Sequence, residues 1–172
     1  MQRLPFLLIF VLVLPATGCR RPRGAKEGEL VQRPQNPPVA YVADNDGRLR
    51  EASRRAQQSL QTFVDSLDRP QPTQINHAVK ATFQDGKDSE AIWLTALRFD
   101  GKEFHGTVSN EPVHLKNVHL GSKVSLEAAR VSDWMLVDNG RLVGGYTIRV
   151  VRDNLPLDDR KRFEQTVPFT FD

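Results

Sequence analysis

The chain has 172 residues, a net charge of +3 from 24 basic and 21 acidic side chains, and a single cysteine. One cysteine excludes an internal disulfide, and the length left once the N-terminus is set aside suffices for one hydrophobic core and not for two. The isoelectric point near 9.2 owes much to arginines close to the N-terminus, and no basic-aromatic pattern follows them, so no nucleic-acid partner is expected.

Met1 to Arg3 is a short positive head, Leu4 to Leu14 is almost wholly apolar, and "PATGC" follows, which is the layout of an export signal over residues 1–18. The apolar run of about eleven residues falls short of the roughly 18 that a membrane-spanning helix needs. Cys19 stands directly after Ala16, Thr17 and Gly18. This "ATGC" resembles the bacterial lipoprotein box, in which small residues precede a cysteine that receives a diacylglycerol before cleavage. Ala16 replaces the usual leucine, and an ordinary signal peptidase would cut at the same bond. An odd cysteine in an exported protein needs a special reason, and lipidation supplies one. The resemblance implies a membrane anchor through lipid on Cys19, in the bacterial cell envelope. Arg20, where an aspartate would mark inner-membrane retention, implies the outer membrane, facing the periplasm.

Residues 19–46, "CRRPRGAKEGELVQRPQNPPVAYVADND", are rich in Pro, Arg, Gln and Gly and carry no clear period, so they read as a lipidated N-terminus and flexible linker. Residues 47–172 read as a single domain. From Arg48 to Leu67 the apolar positions Leu49, Ala52, Ala56, Leu60, Phe63, Val64 and Leu67 are spaced by threes and fours, which predicts one amphipathic helix, with Asp46 to cap it and Pro70 to stop it. "HAVKATFQD" alternates, "DGKD" turns the chain, and "EAIWLTALRF" is apolar on both faces, as a central strand is. "DGK" at 100–102 turns again into "EFHGTVSN", and a loop, "NEPVHLKNVHLG", leads to "KVSLEAARV".

In "VSDWMLVDNGRLVGGYTIRVV", Asn139-Gly140 suits the positive φ angles of a tight hairpin turn. Gly144-Gly145 is expected inside the return strand, marking a bulge, a bend or a close backbone approach. Asn154 is expected to cap a short C-terminal helix from Pro156 or Leu157 to Gln165, and "VPFTF" to add an edge strand or a flap over the core.

These motifs, "TFVDSL", "EAIWL", "DGKEFHGTVSNEP", "LGSKVSL", "VSDWM" and "GGYTIRV", resemble the bacterial domain of unknown function 2314 (YegJ-type) family over roughly residues 48–152. The chain departs from the family pattern at Ala91, where a histidine is common, and at Gly145, which is often another residue. The resemblance implies an α+β fold, one N-terminal amphipathic helix packed on a mainly antiparallel, strongly curved sheet with barrel-like closure, and it implies no established activity.

Chemistry-bearing patterns are sparse. His105, His114 and His119 fall around one loop, but the spacing of five from His114 to His119 is unlike the helical pairs that hold zinc, so no metal and no cofactor are expected. Ser109 and Ser132 lie outside any Gly-x-Ser-x-Gly elbow, and no catalytic residue is assigned. Asp133-Trp134 reads first as scaffold, an acid accepting backbone amide protons beside a core indole. The competing reading is that Asn110, Asp133, Trp134 and Tyr146 border one partly exposed face that binds an unknown protein or ligand. Two function classes follow: a non-enzymatic, lipid-anchored binding module, and an envelope hydrolase using the 105–119 loop histidines.

Overall fold

The computed structural model describes residues 10–14, 30–33, 36–43 and 47–171. Backbone pairing joins β1 (Phe10–Leu14), β2 (Leu30–Arg33) and β3 (Asn36–Ala43) into a three-stranded sheet with β3 in the middle. β2 and β3 fall within the segment read from sequence as a linker. Val31, Val39, Tyr41 and Val42 are strand formers whose pairing a reading of one segment does not see. Cys19 and the proposed cap Asp46 lie outside the described residues.

The predicted apolar stripe folds as helix but not as one helix. α1 (Gly47–Gln58) and α2 (Leu60–Asp68) are separated at Ser59, and Leu49, Ala52, Ala56, Leu60 and Phe63 are all buried. The break has a cause in the sheet. The indole N–H of Trp134 donates to the carbonyl of Ala56 at 3.0 Å and to Ser59 Oγ at 3.1 Å. An inserted donor of this kind interrupts the i to i−4 ladder and kinks the helix. Arg69 closes α2 by donating its amide to the Asp65 carbonyl, one residue before Pro70.

Six strands follow in one antiparallel sheet, β4 (Gln74–Asp85), β5 (Asp88–Phe99), β6 (Glu103–Val108), β7 (Lys123–Glu127), β8 (Asp133–Asp138) and β9 (Arg141–Gly144), in the order β7-β6-β5-β4-β8-β9. The sheet is open. β7 and β9 are its two edges, so the expected barrel-like closure does not occur; β8 pairs with β4, and the long 109–122 loop ends in β7 on the far side. The β8–β9 hairpin turns as expected, with Asn139 at φ 48° and Gly140 at φ 77°.

One sheet face carries Val79, Ala81, Ile92, Leu94, Phe104, Trp134 and Leu136 against Ala56, Leu60 and Phe63 of the helices, and this is the main core. Because side chains alternate along a strand, the other face carries Ala78, Lys80, Trp93 and Met135, each no more than 1% exposed.

The largest correction falls on the segment after Gly144. "YTIRVVRDN" is not a return strand but α3 (Tyr146–Asn154), followed by α4 (Leu157–Thr166), so there are two C-terminal helices where one was expected. Ile148, Val151 and Leu155 are buried at spacings of three and four, the period of a helix face. α4 starts at Leu157 with Pro156 as its N-cap, and Asn154 ends α3 without capping α4. "VPFTF" contributes one isolated bridge, Thr170 beside Arg141, which covers part of the β9 edge. Among the described residues no helix is long and apolar enough to cross a membrane.

Candidate functional site

A helix that begins at two glycines has no side chain of its own to cap it. Gly145, at φ 61°, is the N-cap of α3 and makes no side-chain cap. Asp133, thirteen residues before Tyr146, takes that role across space. Its Oδ1 accepts the amides of Tyr146 at 3.1 Å and Trp134 at 2.9 Å, and its Oδ2 accepts the Thr147 amide at 2.8 Å and the Thr147 hydroxyl. A carboxylate at a helix N-terminus satisfies orphan amides and complements the helix dipole.

The same hydroxyl also receives a hydrogen bond from the ammonium of Lys80, which β4 places directly across from Asp133. Lys80, Asp133 and Thr147 are all buried, so an acid, a hydroxyl and an amine form one buried hydrogen-bonded line. Burial pushes the Asp133 carboxyl up, opposed by the Lys80 charge and by the Thr147 and Trp134 donors. Burial pushes the Lys80 ammonium down to about 8, opposed by the Asp133 charge. The ammonium also lies 5.3 Å from the Trp93 ring centroid.

The expected binding face of Asn110, Asp133, Trp134 and Tyr146 is partly assembled and mostly hidden. Asp133, Trp134 and Tyr146 meet, with the two rings edge to face at 5.9 Å, but Asp133 and Trp134 are buried as cap and core. Asn110 is buried elsewhere, its Oδ1 accepting the Trp93 amide at 3.3 Å. Only Tyr146 reaches the surface. Its hydroxyl pairs with Ser59 Oγ at 2.9 Å, and the Arg55 guanidinium stands 5.2 Å over its ring.

Tyr146 opens onto a cleft of about 810 Å³ between α1 and α3. Arg48 and Arg55 line it from α1, Arg149 from α3, and Leu142 and Gly144 from the end of β9, with Glu51 and Asp153 also at the cleft. Arg149 is braced by the backbone, donating to the carbonyls of Leu142 at 2.8 Å and Gly144 at 3.2 Å. Three arginines along one cleft outnumber its two carboxylates and favour an anion, which guanidinium groups hold by forked, charge-assisted hydrogen bonds. The sequence reading missed these arginines because Arg149 lies far along the chain from Arg48 and Arg55 and joins them only once α3 is a helix.

The loop histidines do not converge. His105 lies on β6 between Ser125 Oγ at 2.8 Å and Asp100 Oδ2 at 2.7 Å, His119 faces Glu111 at 3.4 Å, and the His114 amide is held by Glu90 at 3.2 Å. Asp133 is committed to α3 and meets none of them. Among the described residues Asp100, Glu103 and His105 have potential metal-ligating atoms within 4.8 Å of one another. Asp100 is held well below the usual carboxylate range, chiefly by the Glu103 amide and then by His105 and the Lys102 amide, which is the work of a turn.

With this geometry in place, comparison with known proteins places the chain. A family model described as an uncharacterized protein conserved in bacteria (DUF2314) matches residues 46–171. The chain belongs to the DUF2314 family. It is 32% identical over 130 residues to a putative ankyrin repeat protein of Neisseria meningitidis serogroup B, covering 71% of this chain and 51% of that protein. It is 29% identical over 100 residues to the uncharacterized protein YegJ of Escherichia coli K12, covering 58% of this chain and 64% of YegJ. The chain thus spans between half and two thirds of these relatives. No solved structure matches it.

The buried amine gives this DUF2314 domain a pH signature. Below about 8 the folded and unfolded states both carry the Lys80 proton, and the folded state bears the cost of burying it. Between about 8 and the ordinary value of 10.5 the folded state releases the proton while the unfolded chain keeps it, so stability rises with pH across this window. The gain amounts to up to about 3 kcal/mol. Urea denaturation at pH 7.5, 9 and 10, on the order of steps this window requires, will show the rise in the parent and not in Lys80→Met. Parallel pH profiles for the two would contradict it.

Proposed function

We propose that this DUF2314 protein is a non-enzymatic binding module of the bacterial cell envelope, anchored through lipid on Cys19 to the outer membrane and facing the periplasm, whose α1/α3 cleft holds an acidic segment of a protein partner. The cleft carries the reading. Its size falls in the range of roughly 300 to 1,000 Å³ that binding sites occupy, and Arg48, Arg55 and Arg149 line it together with Tyr146, whose ring Arg55 covers. The anchor is supported by the signal layout and by the small residues before the chain's one cysteine.

Arg55 is the group to test. It is exposed and stacks on Tyr146, so its removal costs the fold about 1 kcal/mol or less. Arg55→Ala is expected to weaken capture of the partner from envelope membranes by about 10-fold or more, since charge-assisted pairs contribute on the order of 1.5 to 3 kcal/mol, while the melting temperature barely moves. The parent's capture is expected to fall with added salt, as exposed charge pairs are screened. Capture indifferent to Arg55→Ala and to salt would remove the cleft from the proposal. An unmodified Cys19 thiol, by intact mass spectrometry of protein from its native membrane, would remove the anchor.

A further inference from the structure

On the other side of α1 lies a smaller cleft of about 290 Å³, between the first turns of α1 and the β4–β5 pair. Lys80 and Thr147 lie at its buried end, Leu49 and Ala91 form apolar walls, and the exposed Arg50 stands among its lining residues. The described lining contains two cations and no carboxylate. The register explains the space. β5 sets Ala91 across from Thr82 and Trp93 across from Lys80, so a methyl group stands beside the lysine where a larger side chain would fill the cleft.

An ammonium carries three N–H donors. Among the described residues Thr147 Oγ1 is the acceptor that Lys80 reaches, and that hydroxyl in turn donates a hydrogen bond to Asp133. Asp133 balances the charge from within the core, but the ammonium keeps donors to spare and its residue lines a cleft whose described lining holds no carboxylate, so an acceptor from outside can meet them. The apolar walls say what should be attached to that acceptor.

We infer that this cleft is a second binding site, independent of the α1/α3 cleft, which takes a small organic carboxylate with its head on the Lys80 ammonium and its short apolar stem against Leu49 and Ala91. The volume sits at the low end for ligand sites and suits an acid of a few carbons. A phosphate would find the same charges but would leave both apolar walls without a partner.

Thermal melts of the full chain in sodium butyrate test this, against butyramide, which has the same shape without the charge, and with sodium chloride to match ionic strength. The melting temperature is expected to rise saturably by about 3 °C or more with butyrate and not with butyramide. Ala91→Phe, which fills the space and keeps the lysine, is expected to abolish the rise, as is Lys80→Met. No saturable rise up to about 50 mM butyrate would overturn the inference, because a ligand that binds the folded state must stabilise it. So would equal rises with butyrate and butyramide, or a rise that survives Ala91→Phe. A rise lost in Arg55→Ala but kept in Ala91→Phe would assign the acid to the larger cleft and overturn the inference equally.

Discussion

Asp133→Ala is expected to destabilise the domain by about 3 to 5 kcal/mol, the range for breaking a buried charge pair by removing one partner. Two losses add. The amides of Tyr146 and Thr147 at the start of α3 lose their acceptor, and Lys80 stays buried with its counter-charge gone. A domain's whole stability is about 5 to 15 kcal/mol, so a large share of it rests on this one carboxylate. Asp133→Asn separates the two losses, since an amide oxygen still accepts one backbone N–H while the charge is removed. Adding Lys80→Met to Asp133→Asn is expected to restore part of the loss, because the second change removes the stranded cation. Urea denaturation of the single and double variants measures all three. A loss below about 1 kcal/mol for Asp133→Ala would mean that α3 holds its place without a cap.

Gly144→Ala is expected to cost a similar amount by a different route. Gly144 sits at φ 71°, and a Cβ there would stand 2.4 Å from the Trp134 carbonyl oxygen and 2.6 Å from its ring. Backbone strain at positive φ accounts for about 1 to 2 kcal/mol, and overpacking against a fixed indole for about 1 to 3 more. Trp134 cannot retreat easily, since its indole N–H is tied to Ala56 and its ring is wedged against Phe63 at 5.4 Å. Gly86→Ala is the control: φ is 60° there too, but nothing stands within 4 Å of the added methyl group. The difference between the two variants in equilibrium denaturation isolates the collision. Equal losses would show that the sheet yields to it.

The elements that were legible from the sequence were those whose signal lies between near neighbours. The helix stripe from Leu49 to Leu67 was readable because threes and fours recur within one segment, and the Asn139-Gly140 hairpin because two adjacent residues carry the required φ angles. The scaffold reading of Asp133-Trp134, an acid accepting amides beside a core indole, matches what the side chains do. The α3 segment misled for a physical reason. Thr147, Ile148, Val150 and Val151 are β-branched and resemble a return strand after a hairpin, and the helical spacing of Ile148, Val151 and Leu155 is blurred by the apolar Val150 beside them.

By itself the sequence determined the helix stripe, the central strand and the tight turn, because each depends on residues that lie close along the chain. Tertiary structure alone decided which polar groups are buried and which clefts exist. In "HAVKATFQD" Lys80 falls on the alternating face that reads as solvent, and only the register with Trp93 and Asp133 brings it inside. The bond from Lys80 to Thr147 spans 67 residues, and the bond from Trp134 to Ala56 spans 78. Contacts at such separations leave no local period, since they arise when the sheet's strand order and the Gly144-Gly145 bend set α3 beside α1. Arg55, Tyr146 and Arg149 become one site by the same event.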